Sequence, residues 1–326
     1  MSRNTKLNVV FTSEDVRRLQ ERAAAAFNTD TVVIDDNVTA RIMRILNEEP
    51  DVIAAAGVSG MAARDGVLVN RPGLYISDGY SGKLSGHIED GARFADGTVA
   101  TEEMFLEPMI GISGYAGVNY TCLFRALCGV GICSKCFSLT TPYYNSIKAW
   151  TRNDVIMSSV KLTAGDVVLD PDKIPYVRFS SHGDLLNGLH AYNFLTIAAS
   201  NPDVNFALWT KNADYMRAGM ELFGAPRPNN LTLIYSALRM DVTPSAAALK
   251  ALKAAGFDAL FSVYNRLSTQ TKAVSGGAWH CMCGNGSCRH RCQFCYNPAA
   301  RAARGFADPS RAVLIAEILD GGRHRE

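Results

Sequence analysis

An α/β fold, a partial (β/α) barrel of about five to six parallel strands, is what the sequence predicts, and three observations predict it. Between Glu107 and Arg266, short apolar runs alternate with helical patterns at a regular rhythm, which is the signature of βαβ units and of a parallel sheet. Polar and sulfur-bearing residues gather just after the apolar runs, at the carboxyl ends of the strands, where folds of this kind place functional groups. The chain has 326 residues, 48% of them hydrophobic, enough to bury a sizeable core.

Three regions follow from the patterning: an N-terminal α+β extension over residues 1–105, the partial barrel over 106–270, and a Cys-rich segment with a C-terminal helix over 271–326. In the extension, Ser13-Glu14-Asp15-Val16 pairs an N-cap residue with acids, so an amphipathic helix is expected to about Phe27. A second helix is expected from Val38 to Leu46. From Gly57 to Gly97 glycine recurs around the short β-type runs Val67-Leu68-Val69 and Leu74-Tyr75-Ile76, as in hairpins or a loop-rich sheet.

In the barrel region Met109 to Val118 reads as the first strand, followed by a cysteine loop from Cys122 to Cys136 and a helix from Tyr143 to Val160. The second strand is Tyr176 to Ser181, with a helix from Leu185 to Ala199. The third is Asn205 to Thr210, with a helix from Ala213 to Phe223. Leu231 to Ser236 and a helix from Pro244 to Ala255 repeat the unit, and Ala259 to Tyr264 supplies a fifth strand. Cysteines follow the first strand, His182-Gly183-Asp184 the second, Lys211-Asn212 the third, Arg239 and Asp241 the fourth, and Asn265-Arg266 the fifth.

The charge balance, 33 basic against 31 acidic residues, produces no long-range field that would draw the chain onto nucleic acid or an anionic membrane. The N-terminus lacks the roughly 7–15-residue apolar core of a secretory leader, and no apolar run reaches the roughly 18 residues of a membrane span. A soluble, cytoplasmic protein is expected. Without a Gly-x-x-x-x-Gly-Lys-Ser/Thr loop a nucleoside triphosphatase is not indicated, and Gly57-Val58-Ser59-Gly60 only superficially approaches a hydrolase nucleophile elbow.

Nine cysteines carry the chemistry. They fall in two groups, Cys122-x5-Cys128-x4-Cys133-x2-Cys136 and Cys281-x-Cys283-x4-Cys288-x3-Cys292-x2-Cys295, with none before Cys122 and none between Phe137 and His280. An odd number, clustered in an intracellular type of chain, argues against a disulfide framework and for metal ligation by thiolates. Iron–sulfur clusters, one or two of them, are the favoured cargo, with zinc as the alternative because paired cysteines also suit zinc knuckles. In a further alternative Cys122 and Cys128 are small buried apolar residues and only the C-terminal group binds metal. His280 and His290 could each replace a thiolate. Arg289 and Arg291 could receive a phosphate or offset thiolate charge.

The run Cys288-x3-Cys292-x2-Cys295, with Phe294 before the last cysteine, resembles the cluster motif of radical SAM enzymes. That superfamily carries the motif after its first strand, where this chain has Cys128-x4-Cys133-x2-Cys136, one residue longer in its first gap. The stretch from Tyr115 to Tyr296 further resembles an uncharacterised family of radical SAM-like phage proteins. That likeness rests on Val177-Arg178-Phe179 leading to Gly183-Asp184, on Trp209-Thr210-Lys211, and on the second cysteine group. The resemblance implies a [4Fe–4S] cluster whose fourth iron is left for S-adenosylmethionine, held near His182, Gly183, Asp184 and Lys211. It implies reductive cleavage of the sulfonium, hydrogen abstraction from an unknown substrate, an auxiliary cluster in the C-terminal group, and an external electron donor. His182 could equally hydrogen-bond the backbone, Asp184 could cap the helix beginning at Leu185, and Lys211 could extend its amine to solvent. Two further possibilities stay open: a non-catalytic metal-stabilised module that binds nucleic acid or protein, and an iron–sulfur protein that has lost radical chemistry.

Overall fold

The structure, a computed structural model, describes residues 66–71, 74–78, 109–138, 150–265, 278–280 and 294–319, with short interruptions inside these stretches. The helices expected at Glu14–Phe27 and Val38–Leu46 lie outside the described residues, as does most of 57–97.

One large sheet organises the chain. Its strands are β2 (Ser77–Asp78), β3 (Met109–Ile112), β5 (Tyr176–Phe179), β6 (Asn205–Thr210), β7 (Leu231–Ser236), β8 (Ala259–Asn265), β9 (Trp279–His280) and β10 (Val313–Leu319), in the order β2-β3-β5-β6-β7-β8-β10-β9. Every neighbouring pair is parallel except β2 with β3. A separate two-stranded antiparallel ribbon joins β1 (Val67–Val69) to β4 (Val167–Leu169), with Leu68 opposite Val168. The helices are α1 (Tyr120–Leu127), α2 (Gly188–Ser200), α3 (Ala213–Phe223), α4 (Ala246–Ala254) and α5 (Pro298–Ala303).

The strands form because their residues are buried on both faces, as parallel strands between two layers must be. On one face Val177, Phe179, Phe206, Leu208, Leu231 and Leu233 pack against Phe194, Leu195 and Met216 from α2 and α3. Phe179 stacks on Phe194 at 4.1 Å and on Phe206 at 5.1 Å, and burying each ring contributes about 2 kcal/mol. α2 runs through this core with eight buried residues from His190 to Ala198. Its start is set by Asn187, whose side chain accepts from the His190 amide, and not by Asp184 as the sequence allowed. α3 and α4 are more amphipathic; α3 stops at Gly224, which takes φ +67°, and α4 starts at Ser245, which accepts from the Ala248 amide.

On the other face lies a second core: Tyr176, Ala207, Ile234, Ala259 and Ile315 from the strands, covered by Phe294 and Tyr296. The ring of Tyr296 meets Tyr176 at 5.6 Å and Trp209 at 5.8 Å, both edge-on. Arg301, on α5, donates to the Phe294 carbonyl at 2.9 Å and lies 3.3 Å from Thr232 Oγ1. The segment after residue 293 is thus built onto the sheet.

Differences from the sequence reading are local except one. β3 is shorter than Met109–Val118 because the chain turns at Ser113-Gly114 and caps a helix with Asn119, so Cys122 sits within α1 and not in a loop. The run Leu74-Tyr75-Ile76 is extended chain leading into β2. Helical residues occur between Trp150 and Ser158, within the helix expected at Tyr143–Val160. The larger difference is β10: among its described residues region 271–326 holds a short helix, Pro298–Ala303, but their longest element is a sixth long parallel strand inserted between β8 and β9.

Candidate metal centre

The carboxyl ends of β3, β5, β6 and β7 form a mouth that draws together segments far apart in sequence. Asp184 is its hub, with a carboxylate that accepts four donors. Oδ2 takes Arg125 Nη1 at 2.7 Å and the Lys211 amide at 3.1 Å; Oδ1 takes Thr210 Oγ1 at 2.6 Å and the Leu185 amide at 2.8 Å. Its backbone carbonyl accepts Asn119 Nδ2 at 2.6 Å. The same Asn119 caps α1, its Oδ1 accepting from the amides of Thr121 and Cys122. Asn212 completes the set: it accepts from Arg125 Nη2 and donates to the Leu185 carbonyl at 2.8 Å. Side chains of Asp184, Arg125 and Thr210 are all buried, so these bonds form out of competition with water, where charge-assisted pairs are strongest.

Three mid-chain cysteines share this mouth. Cys122 lies on α1; Cys133 lies in the 3-10 turn Gly131–Lys135, and Cys136 follows it, its amide donating to the Cys133 carbonyl at 3.2 Å. None of the three is in a disulfide. Burial pushes the Cys122 thiol well above its usual range, with Asp184, Cys136 and Cys133 adding to the effect and Arg125 opposing it. Burial also raises Cys133, against the pull of Lys211 and Arg125. The contacts that tie these segments together are those of Arg125, one turn along α1 from Cys122, with Asp184, and of Asp184 with the Lys211 amide. Burial works against the charge of Arg125 too, but the Asp184 carboxylate outweighs it and raises the guanidinium above its usual range.

The turn carrying Cys133 is docked on the β7 end. The Ile132 amide donates to the Leu238 carbonyl at 3.1 Å. Gly131 takes φ +47°, and a Cβ there would fall 1.9 Å from the Leu238 oxygen, so only glycine permits the approach. Lys211 Nζ reaches across to Ser236 Oγ at 2.6 Å. The turn therefore bridges the mouth from β3 to β7.

His182 and Gly183 take other places. The His182 ring stacks on Trp150 at 4.2 Å, and its Nδ1 lies 3.0 Å from Ser138 Oγ, just beyond the cysteine turn. Burial and then the Arg178 charge push its pKa down to about 3, so the imidazole is neutral at neutral pH and holds no proton to donate as an acid. Gly183, at φ +76°, lets the chain pass Gly114, whose Cα would lie 3.2 Å from an added Cβ. Ser180 leaves β5 with φ 54°, a strained non-glycine conformation of the kind that gathers at functional sites.

Thiol donors beside two cations are chemically suited to a metal–sulfur group, whose bound thiolates carry negative charge. Among the described residues, however, no three of His, Cys, Asp and Glu are gathered closely enough to hold a metal ion. The expected ligands Cys128, Cys281, Cys283, Cys288 and Cys292, and with them His290, lie outside the described residues, and so does the side chain of His280. Cys295 is described and lies elsewhere: it packs with the aromatic core under Tyr296 and Trp209, in the electrostatic neighbourhood of Arg301.

The sequence reading did not single out Arg125 or Asn119, and it named Thr210 and Asn212 only by their places at the end of the third strand. Two signals were present: an Asn directly before a helical segment marks a cap, and Arg125 stands three residues after Cys122, on the same helix face.

Comparison with protein-family models, with curated proteins and with solved structures returns no match. No helix among the described residues is long and apolar enough to cross a membrane.

Proposed function

We propose that the chain is an iron–sulfur protein of radical SAM-like type, in which the mid-chain cysteines hold a [4Fe–4S] cluster at the mouth of a partial (β/α) barrel. One observation carries the reading: Cys122 in α1 and Cys133 and Cys136 at the docked turn, none of them in a disulfide, lie on elements that bonds to Asp184 and to the Leu238 carbonyl fix at the carboxyl ends of parallel strands. The sequential order of β3, β5, β6, β7 and β8, and the packing of α2 and α3 on one face of the sheet, support curvature into a partial barrel, since right-handed crossovers keep the helices on one side. The second face, filled by Phe294 and Tyr296, is the interior of that barrel.

When bound, the cluster would supply an electron to S-adenosylmethionine. The chain's own residues do the rest. Three of Cys122, Cys128, Cys133 and Cys136 would be its ligands, leaving the fourth iron open. Lys211 and Arg125 offset their charge. Asp184 spends its carboxylate on Arg125, Thr210 and the Lys211 amide, so it fixes the walls of the site rather than reaching for a ligand. The stacked pair of His182 and Trp150 walls the β5 side against water.

Anaerobic reconstitution with ferrous iron and sulfide tests this. The expected product is a brown protein with about four irons per mid-chain site that releases 5′-deoxyadenosine from S-adenosylmethionine under a strong reductant. Cys133→Ser or Cys136→Ser should abolish both signals. A chain that takes up zinc alone, or holds iron unchanged in those variants, refutes the assignment.

A further inference from the structure

We propose that the second face of the sheet, toward the carboxyl ends of β5 to β8, binds a small organic oxyanion, a carboxylate or phosphate carried on an apolar body, through Arg178 and Lys211; the inference needs the sheet and not the cluster proposed above. Register puts the residues on one face. Arg178 of β5 pairs with Ala207 of β6, and Trp209 follows Ala207 by two residues, so these side chains project from the side of the sheet that carries the second core. Ser236 follows Ile234 in the same way on β7 and pairs with Phe261 of β8. Toward the amino ends this face is sealed by Phe294 and Tyr296. Nearer the carboxyl ends it opens, for Arg178, Trp209, Lys211 and Phe261 are all partly exposed. The result is a cup with an aromatic floor.

Two cations line its wall. The Arg178 guanidinium lies over the Trp209 ring at 4.4 Å. Such stacking occupies the flat face of the guanidinium and not the N–H donors in its plane, and it fixes the direction in which that fork points. The cross-strand neighbours of Arg178 are Gly111 and Ala207, which have little or no side chain to fill the space beside it. Lys211 stands two residues beyond Trp209, about 7 Å farther along the chain. Its Nζ donates to Ser236 Oγ at 2.6 Å, and among the described residues no carboxylate pairs with it. A lysine that only snorkelled would carry its amine out to water, whereas this one turns across the face to β7. A charged oxygen group is what the fork and the ammonium can grip together. A ring or hydrocarbon attached to it would displace water from Trp209, Phe261 and Tyr296, as in a small-molecule site with an apolar lining and a few directed polar groups.

The experiment uses the full chain, as purified and again after treatment with a chelator, and follows phenyl phosphate, benzoate and phenol by calorimetry and tryptophan fluorescence. At least one of the two anions is expected to bind saturably in both preparations, with phenol weaker by roughly 10-fold or more; the tighter anion identifies the oxyanion. Arg178→Gln should weaken that anion roughly 10–100-fold and Lys211→Met roughly 10-fold, with phenol unchanged in both. Trp209→Phe should remove the fluorescence response, placing the probe in the cup. If Arg178→Gln does not fold, Lys211→Met, at a partly exposed position, carries the same prediction. Anions that bind no better than phenol, or that bind both charge variants with wild-type affinity, overturn the proposal. Iron uptake without anion binding would strike this inference alone, and anion binding in a chain that takes up no iron would strike the cluster reading alone.

Discussion

Two aspartates sit at opposite ends of the sheet, Asp184 buried and Asp258 partly so, and they do different work. At the amino ends, Asp258 accepts both guanidinium nitrogens of Arg227 at 2.7 and 3.1 Å, Lys253 Nζ at 3.0 Å and the Leu233 amide at 3.0 Å. Burial pushes its pKa up, but these donors outweigh it and hold the carboxyl below its usual range. All its partners come from one stretch, residues 227–258, so the cluster staples β7, α4 and β8 into a unit. At the carboxyl ends, Asp184, after β5, binds Arg125 and Asn119 from the segment after β3 and Thr210 and Lys211 from the end of β6. An ion pair that joins neighbours in sequence builds the scaffold. One that joins distant loops around thiols builds a site.

Charge removal sharpens that contrast most. Asp184→Asn leaves Arg125 buried against a weakened partner and should cost on the order of 3–5 kcal/mol, with loss of mid-chain iron in the reconstituted chain. Asp258→Asn should cost on the order of 3 kcal/mol in urea unfolding, because its partners are more exposed, and should leave iron content unchanged. Iron loss in both variants, or in neither, would erase the distinction.

Acid should weaken the mouth next. His182 and His190 are buried, and burial pushes their pKa values down to about 3 and about 4. The unfolded chain binds protons at these residues below about pH 6.5 while the folded chain does not. Their contribution is therefore complete above pH 6.5 and falls away as pH drops toward 3–4. On the order of 3–5 kcal/mol per histidine should be lost across that window, and replacing His190 by Phe should flatten the curve. Unchanged acid sensitivity in that variant would count against burial as its cause.

The smallest effect is expected at the docked turn. Gly131→Ala must adopt a left-handed φ against the Leu238 carbonyl and should cost about 1–2 kcal/mol. It should slow cluster uptake more than it lowers the unfolding midpoint. The matching change at Gly305, also at positive φ but with open space around it, should leave uptake as it is.

Much of the scaffold was legible in the sequence because period and length agree there. Ala213–Phe223, Asn205–Thr210 and Leu231–Ser236 occur at their expected bounds. β10 was not legible: Val313-Leu314-Ile315-Ala316-Glu317-Ile318-Leu319 is an apolar run broken only by Glu317 and contains good helix formers, and such a run reads equally as a buried strand or a buried helix. Its partners, β8 and β9, decide the matter, and pairing is not written in local composition. At the site, the cysteines announced themselves by spacing and Asp184 by its place after a strand. Arg125 and Asn119 did not, since a basic residue in a helix and an Asn before one are common, and only the folded contacts make them part of the mouth.

The insertion of β10 sets the order in which the chain can assemble. From β5 to β8 each strand reaches its neighbour through one short crossover, whereas β10 must return across residues 266–312 to find β8. Longer closures carry a larger entropic barrier. The aromatic layer of Phe294 and Tyr296 packs in one core with Ile315 of that same strand, so the second face of the sheet is completed by the segment whose loop takes longest to close.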